Sequence, residues 1–173
     1  MEKPYMTRNM FTAEQKIKWW GHGEWINEPD EVLFDHHGIQ CKVLRIAHPE
    51  PNCKDEHVFG GHLCGYVAIP FDHPYYQKMY EEMDIDCHGG LTYGECSDRH
   101  WVGFDCAHFF DITPSMEILY EIIPEIKKST DAINEIYKKL GINQSLFFNK
   151  SYRNIDFCIA ECESIVDQLL QVK

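Results

Sequence analysis

Apolar and polar residues alternate through the earlier part of the chain and recur at helical spacing in the later part. Alternation at every second position marks a half-buried strand, and recurrence at three and four residues marks an amphipathic helix. Glu31 to Asp35 and Ile39 to Ala47 therefore predict a β-hairpin, with His36-His37-Gly38 at its turn. In its second strand Ile39, Cys41, Val43, Arg45 and Ala47 share one face, and Gln40, Lys42, Leu44 and Ile46 share the other. Val58 to Pro70 predicts a third strand, with Gly60-Gly61 as a bulge or entry turn. Gly90 to Gly94 and Trp101 to His108 predict two more. Thr12 to Trp20 predicts a short helix, capped by Thr12 with Gln15 three residues later. His73-Pro74 is expected to open another, through about Met83.

The later part reads as helix. Thr113-Pro114 is a start signal, a cap followed by proline in the first turn. Leu119, Ile122, Ile126, Ile133, Ile136, Tyr137 and Leu140 keep helical spacing until Gly141, and Pro124 should kink or split the run. From about Asn154 to Gln171 the stripe Ile155, Cys158, Ile159, Cys162, Ile165, Val166 and Leu169 is continuous. No linker or repeat interrupts the chain. The expected fold is one α+β domain over residues 1–173. It should hold a largely antiparallel sheet of about five strands with the C-terminal helices packed on it.

Charge narrows the partners. A net charge of −12 argues against nucleic acid and against anionic membrane surfaces, where a basic stripe is expected. Met1 to Arg8 lacks the apolar core of a secretory signal, and no apolar run reaches about 18 residues. The expectation is a cytoplasmic protein with reduced thiols and no membrane span.

The reactive side chains are segregated. All ten histidines lie between His22 and His108, and six of the eight cysteines fall in the same stretch. Two polar runs interrupt strand-like sequence there: Cys87-His88-Gly89-Gly90-Leu91-Thr92 and Gly103-Phe104-Asp105-Cys106-Ala107-His108. Burying such groups costs a few kcal/mol each unless they find partners, so a site is expected. Paired glycines let backbone N–H groups approach an anion, with His88 and Thr92 as added donors. If the second run stays extended, Cys106 and His108 share a face and Asp105 points away from them. Cys106 and His108 would then form a thiolate–imidazole pair or two metal ligands. Arg45 lies among apolar neighbours and needs a carboxylate or phosphate for its head. Tyr152-Arg153 precedes the last helix and is a further candidate for the same region. No C-x-x-C or H-x-x-x-H pair is present, so neither a metal nor another cofactor is expected.

Taken together, the pieces resemble an uncharacterised small-protein family of tailed phages and prophages. The resemblance rests on Gly23-Glu24-Trp25 with Glu28-Pro29-Asp30, then Gly61-His62-Leu63-Cys64-Gly65-Tyr66-Val67 leading to Pro70 and His73-Pro74. It continues with His88-Gly89-Gly90-Leu91-Thr92, Gly103 to His108 with Asp111, and Tyr152-Arg153 before Ala160-Glu161-Cys162-Glu163. The chain departs at Phe109-Phe110, where a small residue and glycine are usual, and at Cys87, where an aliphatic residue is usual.

By analogy with phage anti-defence proteins, the resemblance implies capture of a nucleotide-derived immune signal. Its ligand would be a cyclic ADP-ribose isomer, an ADP-ribose conjugate or a cyclic oligonucleotide. Arg45, His88, Gly89, Gly90 and Thr92 would hold phosphate, Tyr66 and Trp101 would wall a base, and Asp105 and Asp111 would take ribose hydroxyls, with His108 beside them. Two alternatives stand beside capture. His88 and His108 would be general acid and base of a hydrolase, with Asp105 or Asp111 orienting a histidine or stabilising a developing cation. Or the polar runs only pin loops in a structural or host-protein-binding module. Assembly with a second copy of the chain stays open beside each of these readings.

Overall fold

The structure, a computed structural model, describes residues 5–48, 58–108, 110–141 and 151–172. Its centre is a six-stranded antiparallel sheet. The strands are β1 (Met6–Arg8), β2 (Glu31–His36), β3 (Ile39–His48), β4 (Phe59–Ile69), β5 (Tyr93–Cys96) and β6 (His100–Asp105). Their order is β1-β2-β3-β4-β6-β5, so β3, β4 and β6 are the middle strands that carry Arg45, Cys64 and Asp105. A short parallel pair, β7 (Asp111–Ile112) with β8 (Ser151–Tyr152), stands beside it. The helices are α1 (Ala13–Trp20), α2 (Pro114–Ile122), α3 (Pro124–Lys139) and α4 (Ile155–Leu169). This is the α+β architecture that the pattern predicts. The expected loop over 49–56 lies outside the described residues.

Local chemistry explains the elements. Thr12 accepts a hydrogen bond from Gln15 N, and the Gln15 side chain accepts one from Thr12 N, a complete capping box for α1. Asn154 caps α4 by accepting from Phe157 N. Pro124 ends one helix and begins the next, because its ring clashes with the preceding turn but suits a first turn. The register of β3 against β4 shifts between Arg45 and Ala47, opposite Gly60 and Gly61. Both glycines take positive φ, and a Cβ on Gly60 would stand 2.5 Å from the Ile46 carbonyl oxygen, so the bulge requires glycine.

The expected helix after His73-Pro74 does not form. The segment is a run of turns with one 3-10 turn at Tyr80–Glu82. Gln77 adopts φ +63, which no helix accommodates, and its N–H donates to His100 Nδ1 instead of to a helical carbonyl. His100 is 3% exposed, and burial holds its imidazole below the ordinary value. A depressed value means that the folded state favours the neutral ring. Its contribution to stability is therefore complete above pH of about 6.5 and is lost as the pH falls through the lower, folded-state value. The stability difference between wild type and His100→Gln should accordingly shrink between pH 7.5 and 5.5 in urea titrations.

One face of the sheet is the core. Val43, Leu63, Val67, Val102 and Phe104 are each at most 1% exposed and face α4 across the sheet. From α4, Cys158, Cys162, Ile165, Val166 and Leu169 are all fully buried against them. Gly65 is what lets the helix close, since a Cβ there would meet Phe104 at 2.4 Å and the Cys162 sulfur at 2.8 Å. By contrast α3 turns its stripe outward, with Ile133, Ile136 and Leu140 about half exposed or more. Among the described residues, no helix is long and apolar enough to cross a membrane.

Beside the core lies a buried ionic cluster. Arg45, 1% exposed, donates Nε to Asp30 Oδ1 at 2.9 Å and Nη2 to Glu28 Oε2 at 2.8 Å. Its Nη1 donates to the Gly61 carbonyl at 2.7 Å and the Tyr152 hydroxyl at 2.9 Å. Lys16, also 1% exposed, reaches Asp30 Oδ1 at 2.7 Å and the Glu28 carbonyl at 2.6 Å. The other oxygen of Asp30 takes the N–H groups of Met10 and Phe11. Burial works against the Arg45 charge, yet Tyr152 and Glu28 outweigh it and hold the guanidinium above its ordinary value.

Candidate functional site

The site forms where the strand pattern fails. β6 ends at Asp105, and the chain turns there instead of continuing extended to His108. Asp105 drives the turn: Oδ1 accepts from Ala107 N at 2.9 Å, while Oδ2 accepts from the Thr92 hydroxyl at 2.9 Å. Cys106 still enters the core, where its sulfur lies 3.6 Å from that of Cys158. His108 comes back to the Asp105 side, with Nδ1 3.9 Å from Asp105 Oδ1. The expected face-sharing of Cys106 with His108 is thus corrected, because period-two alternation holds only within a strand.

Asp111 is the hub. Its side chain is 0% exposed, and His88 Nε2 lies 2.9 Å from Oδ2 and 3.0 Å from Oδ1. The backbone N–H of His108 donates to Oδ2 at 3.0 Å, and His108 Nδ1 is 3.3 Å from the same oxygen. Arg153 donates Nε to Oδ1 at 3.0 Å. Burial alone would push the Asp111 carboxyl up, but the bonds from His88, Arg153 and the His108 backbone outweigh it and hold it below the ordinary carboxylate value.

Apolar rings fix the imidazoles. Phe110 stacks on His108 at 5.4 Å with planes 7° apart. His88 meets the rings of His108, Phe110 and Phe157 edge-on at 5.2–5.3 Å. From α4, Glu161 accepts the backbone N–H of His88 at 2.8 Å. Exposure rises outward, from 8% at His88 to 21% at His108, 24% at Arg153 and 30% at Asp105. The cluster therefore opens to solvent on the His108, Arg153 and Asp105 side.

The glycine pair acts differently from the expected anion cradle. A Cβ on Gly89 would stand 2.1 Å from His108 Nε2 and Cε1, so Gly89 exists to admit that ring. Gly90 N–H is spent on the Cys87 carbonyl, closing the turn. Gly89→Ala should displace His108 and cost about 1–3 kcal/mol, since φ is +68 there as well. Gly90→Ala has open space and should strain only the backbone. Histidine side-chain NMR shifts in the two variants separate these outcomes: only Gly89→Ala should move His108.

The other expected ligands divide. Thr92 and Asp105 join the cluster, whereas Arg45 does not: its guanidinium is consumed by Glu28, Asp30, Gly61 and Tyr152 in the ionic cluster. Arg153 stands where Arg45 was expected. Among the described residues only its Nε is bonded, to Asp111, and its Cζ lies 4.7 Å over the Phe157 ring. Tyr66 and Trp101 lie on the opposite sheet face from α4, along a groove of about 310 Å³ lined with Lys42, Leu44, Tyr93 and Glu95. Lys42 Nζ sits 4.9 Å from the Tyr66 ring and 5.0 Å from the Trp101 ring. Tyr66 and Tyr93 flank Gly103, two residues along β6 from Asp105 and so about 7 Å from it.

His62 was not anticipated. It precedes Leu63 on the open face, and burial lowers its imidazole below the ordinary value while Asp105 draws it upward. The cysteines are poor nucleophiles here. Burial pushes both Cys64 and Cys87 up to about 12, and the Cys158 sulfur together with burial raises Cys106.

Fold and site together define an α+β protein with a paired-histidine, aspartate and arginine centre beside an aromatic groove. The chain matches no protein-family model, no curated protein and no solved structure.

Proposed function

We propose that the chain binds and sequesters a small, phosphate-bearing, nucleotide-derived molecule along the strip from His88 and His108 to Tyr66 and Trp101. The observation that carries this reading is the order of groups on the strip. The guanidinium of Arg153 and the two imidazoles are followed by a carboxylate at Asp105 and then, about 7 Å on, by the aromatic groove. A phosphate on Arg153 and His108, ribose hydroxyls on Asp105 and a base against Tyr66 and Trp101 match that order, and the groove volume suits one base. Capture is favoured over thiol-based turnover because the nearby thiols are held protonated. The motif resemblance to phage proteins supplies a purpose: withdrawing a nucleotide-derived immune signal from its receptor in an infected bacterial cytoplasm.

Hydrolysis has one observation in its favour. His108 Nδ1 faces Asp111 and Asp105, as a carboxylate-oriented general base does. One experiment separates the two. Purified protein is mixed with cyclic dinucleotides, cyclic ADP-ribose isomers, histidine–ADP-ribose, NAD and ADP-ribose, removed by filtration, and then heat-denatured. Capture depletes one ligand from the filtrate and returns it intact after heating, whereas a hydrolase at sub-stoichiometric concentration converts the whole pool. His108→Ala should weaken capture by about 1.5–3 kcal/mol. If His108 is a general base, that variant should instead lower turnover by about a hundredfold or more with binding kept. No depletion and no conversion across the panel would overturn both and favour a protein-binding module.

A further inference from the structure

Hydrogen bonding accounts for the partners of Asp111, but it does not require two imidazole nitrogens on one oxygen. His88 Nε2 is 2.9 Å and His108 Nδ1 3.3 Å from Asp111 Oδ2, and one donor atom from each residue lies within 4.8 Å of the others. Ligands bonded to one first-row divalent ion at about 2.0–2.2 Å stand roughly 2.9–3.5 Å apart, for octahedral through tetrahedral angles. We propose that His88, His108 and Asp111 form a binding site for a first-row divalent metal ion, zinc being the best match to two imidazoles and a carboxylate.

The surroundings do what a metal site needs of its second layer. Arg153 holds Asp111 Oδ1 at 3.0 Å, leaving Oδ2 as a single ligand oxygen. The ring of His108 is clamped between Gly89 and Phe110, and that of His88 between Phe110 and Phe157, so both nitrogens are aimed before an ion arrives. Neutral imidazoles donate lone pairs only when the proton sits on the other ring nitrogen. Metal entry therefore exchanges two N–H···O contacts for two N–metal bonds without rebuilding the loops.

Three protein ligands leave a coordination position open, as in zinc sites that bind a water or substrate. That position adjoins Asp105 and Arg153, on the exposed side of the cluster. The ion would there take a phosphate oxygen of the captured molecule, a step that rests on the sequestration reading above. The metal site itself does not.

A second triad supplies an internal control. His36 Nε2 and His37 Nε2 lie 2.9 and 3.5 Å from Asp167 Oδ1, at the β2–β3 turn against α4. His37 and Asp167 are more than half exposed there, whereas at the first triad Asp111 is fully buried and His88 nearly so.

The test uses full-length, tag-free protein stripped with EDTA, then equilibrated with buffered micromolar zinc and competed against a chromophoric chelator. One zinc per chain is expected by elemental analysis. His88→Ala and His108→Ala should each weaken zinc binding by about a hundredfold or more, while the double change His36→Ala, His37→Ala leaves it unaltered. Cobalt substitution of the unmutated protein should add visible bands of a low-symmetry nitrogen–oxygen site, so the proposal stays testable if a variant fails to fold. No stoichiometric zinc and no cobalt bands would overturn it, as would zinc lost only with His36 and His37. Repeating the ligand panel with stripped and zinc-loaded protein separates the two ideas. Capture by both forms alike overturns the metal–phosphate contact and keeps sequestration. Zinc bound with nothing captured upholds the metal site and overturns sequestration.

Discussion

A chain ended after Tyr152 should show no cooperative thermal or urea transition, with near-ultraviolet circular dichroism lost. The truncation removes α4, whose Ile155, Ile165, Val166 and Leu169 are each at most 9% exposed. At roughly 1.5–3 kcal/mol for each large aliphatic side chain, their burial is worth about 6–12 kcal/mol. Small domains hold a net stability of only about 5–15 kcal/mol, so the loss spans most of the margin. It also uncovers Val43, Leu63, Val67 and Phe104 on the sheet, which no other described helix covers. A truncated chain with an unchanged melting transition would show that the sheet is stabilised from elsewhere. Ile165→Ala gives the graded version, about 2–5 kcal/mol with a cooperative transition retained.

Asp30→Ala should lower stability by about 3–5 kcal/mol, the second large effect. Asp30 is fully buried and bonds both Lys16 and Arg45, themselves 1% exposed. Without it one buried cation keeps only the Glu28 carbonyl as an acceptor, and the other keeps a single carboxylate. Two backbone N–H groups, of Met10 and Phe11, lose their acceptor as well. Replacing Lys16, Asp30 and Arg45 together by apolar residues should cost less than Asp30→Ala alone, because unpaired charge rather than lost attraction is the main penalty. Chemical denaturation of both variants measures the difference.

These two effects differ in how far the sequence foretells them. The α4 stripe is local: its apolar residues recur at helical spacing, and Asn154 announces the start. The hairpin at His36-His37-Gly38, the Thr12 capping box and the Pro124 break are legible for the same reason, each depending on a few neighbouring residues. β1 was not anticipated, since three exposed residues at a sheet edge carry no alternation. The ionic cluster was half legible. Arg45 among apolar neighbours demands an anion, but only the register of β3 with β2 shows that Asp30 and Glu28 supply it. At the candidate site the residue types were legible and the geometry was not. Asp105 bonds Ala107 N and thereby ends the strand, a side-chain effect that overrides alternation and turns His108 from Cys106 toward Asp111. Arg153 stands out in the sequence as a candidate without a role, because it reaches Asp111 only through the β7–β8 pairing.

That pairing has a bearing on how the protein is made. β7 and β8 are parallel neighbours separated by α2 and α3, and adjacent residues of the second strand segment serve both polar clusters. Tyr152 bonds Arg45 and Glu28, and Arg153 bonds Asp111. During synthesis the histidine loops emerge well before these residues, by about 2–8 s between positions 111 and 153 at ordinary elongation rates. Until then Asp111 has no guanidinium beside it and Arg45 lacks its phenol. Both polar clusters thus wait for the same two adjacent residues, which lead directly into α4, the helix that covers the core face of the sheet.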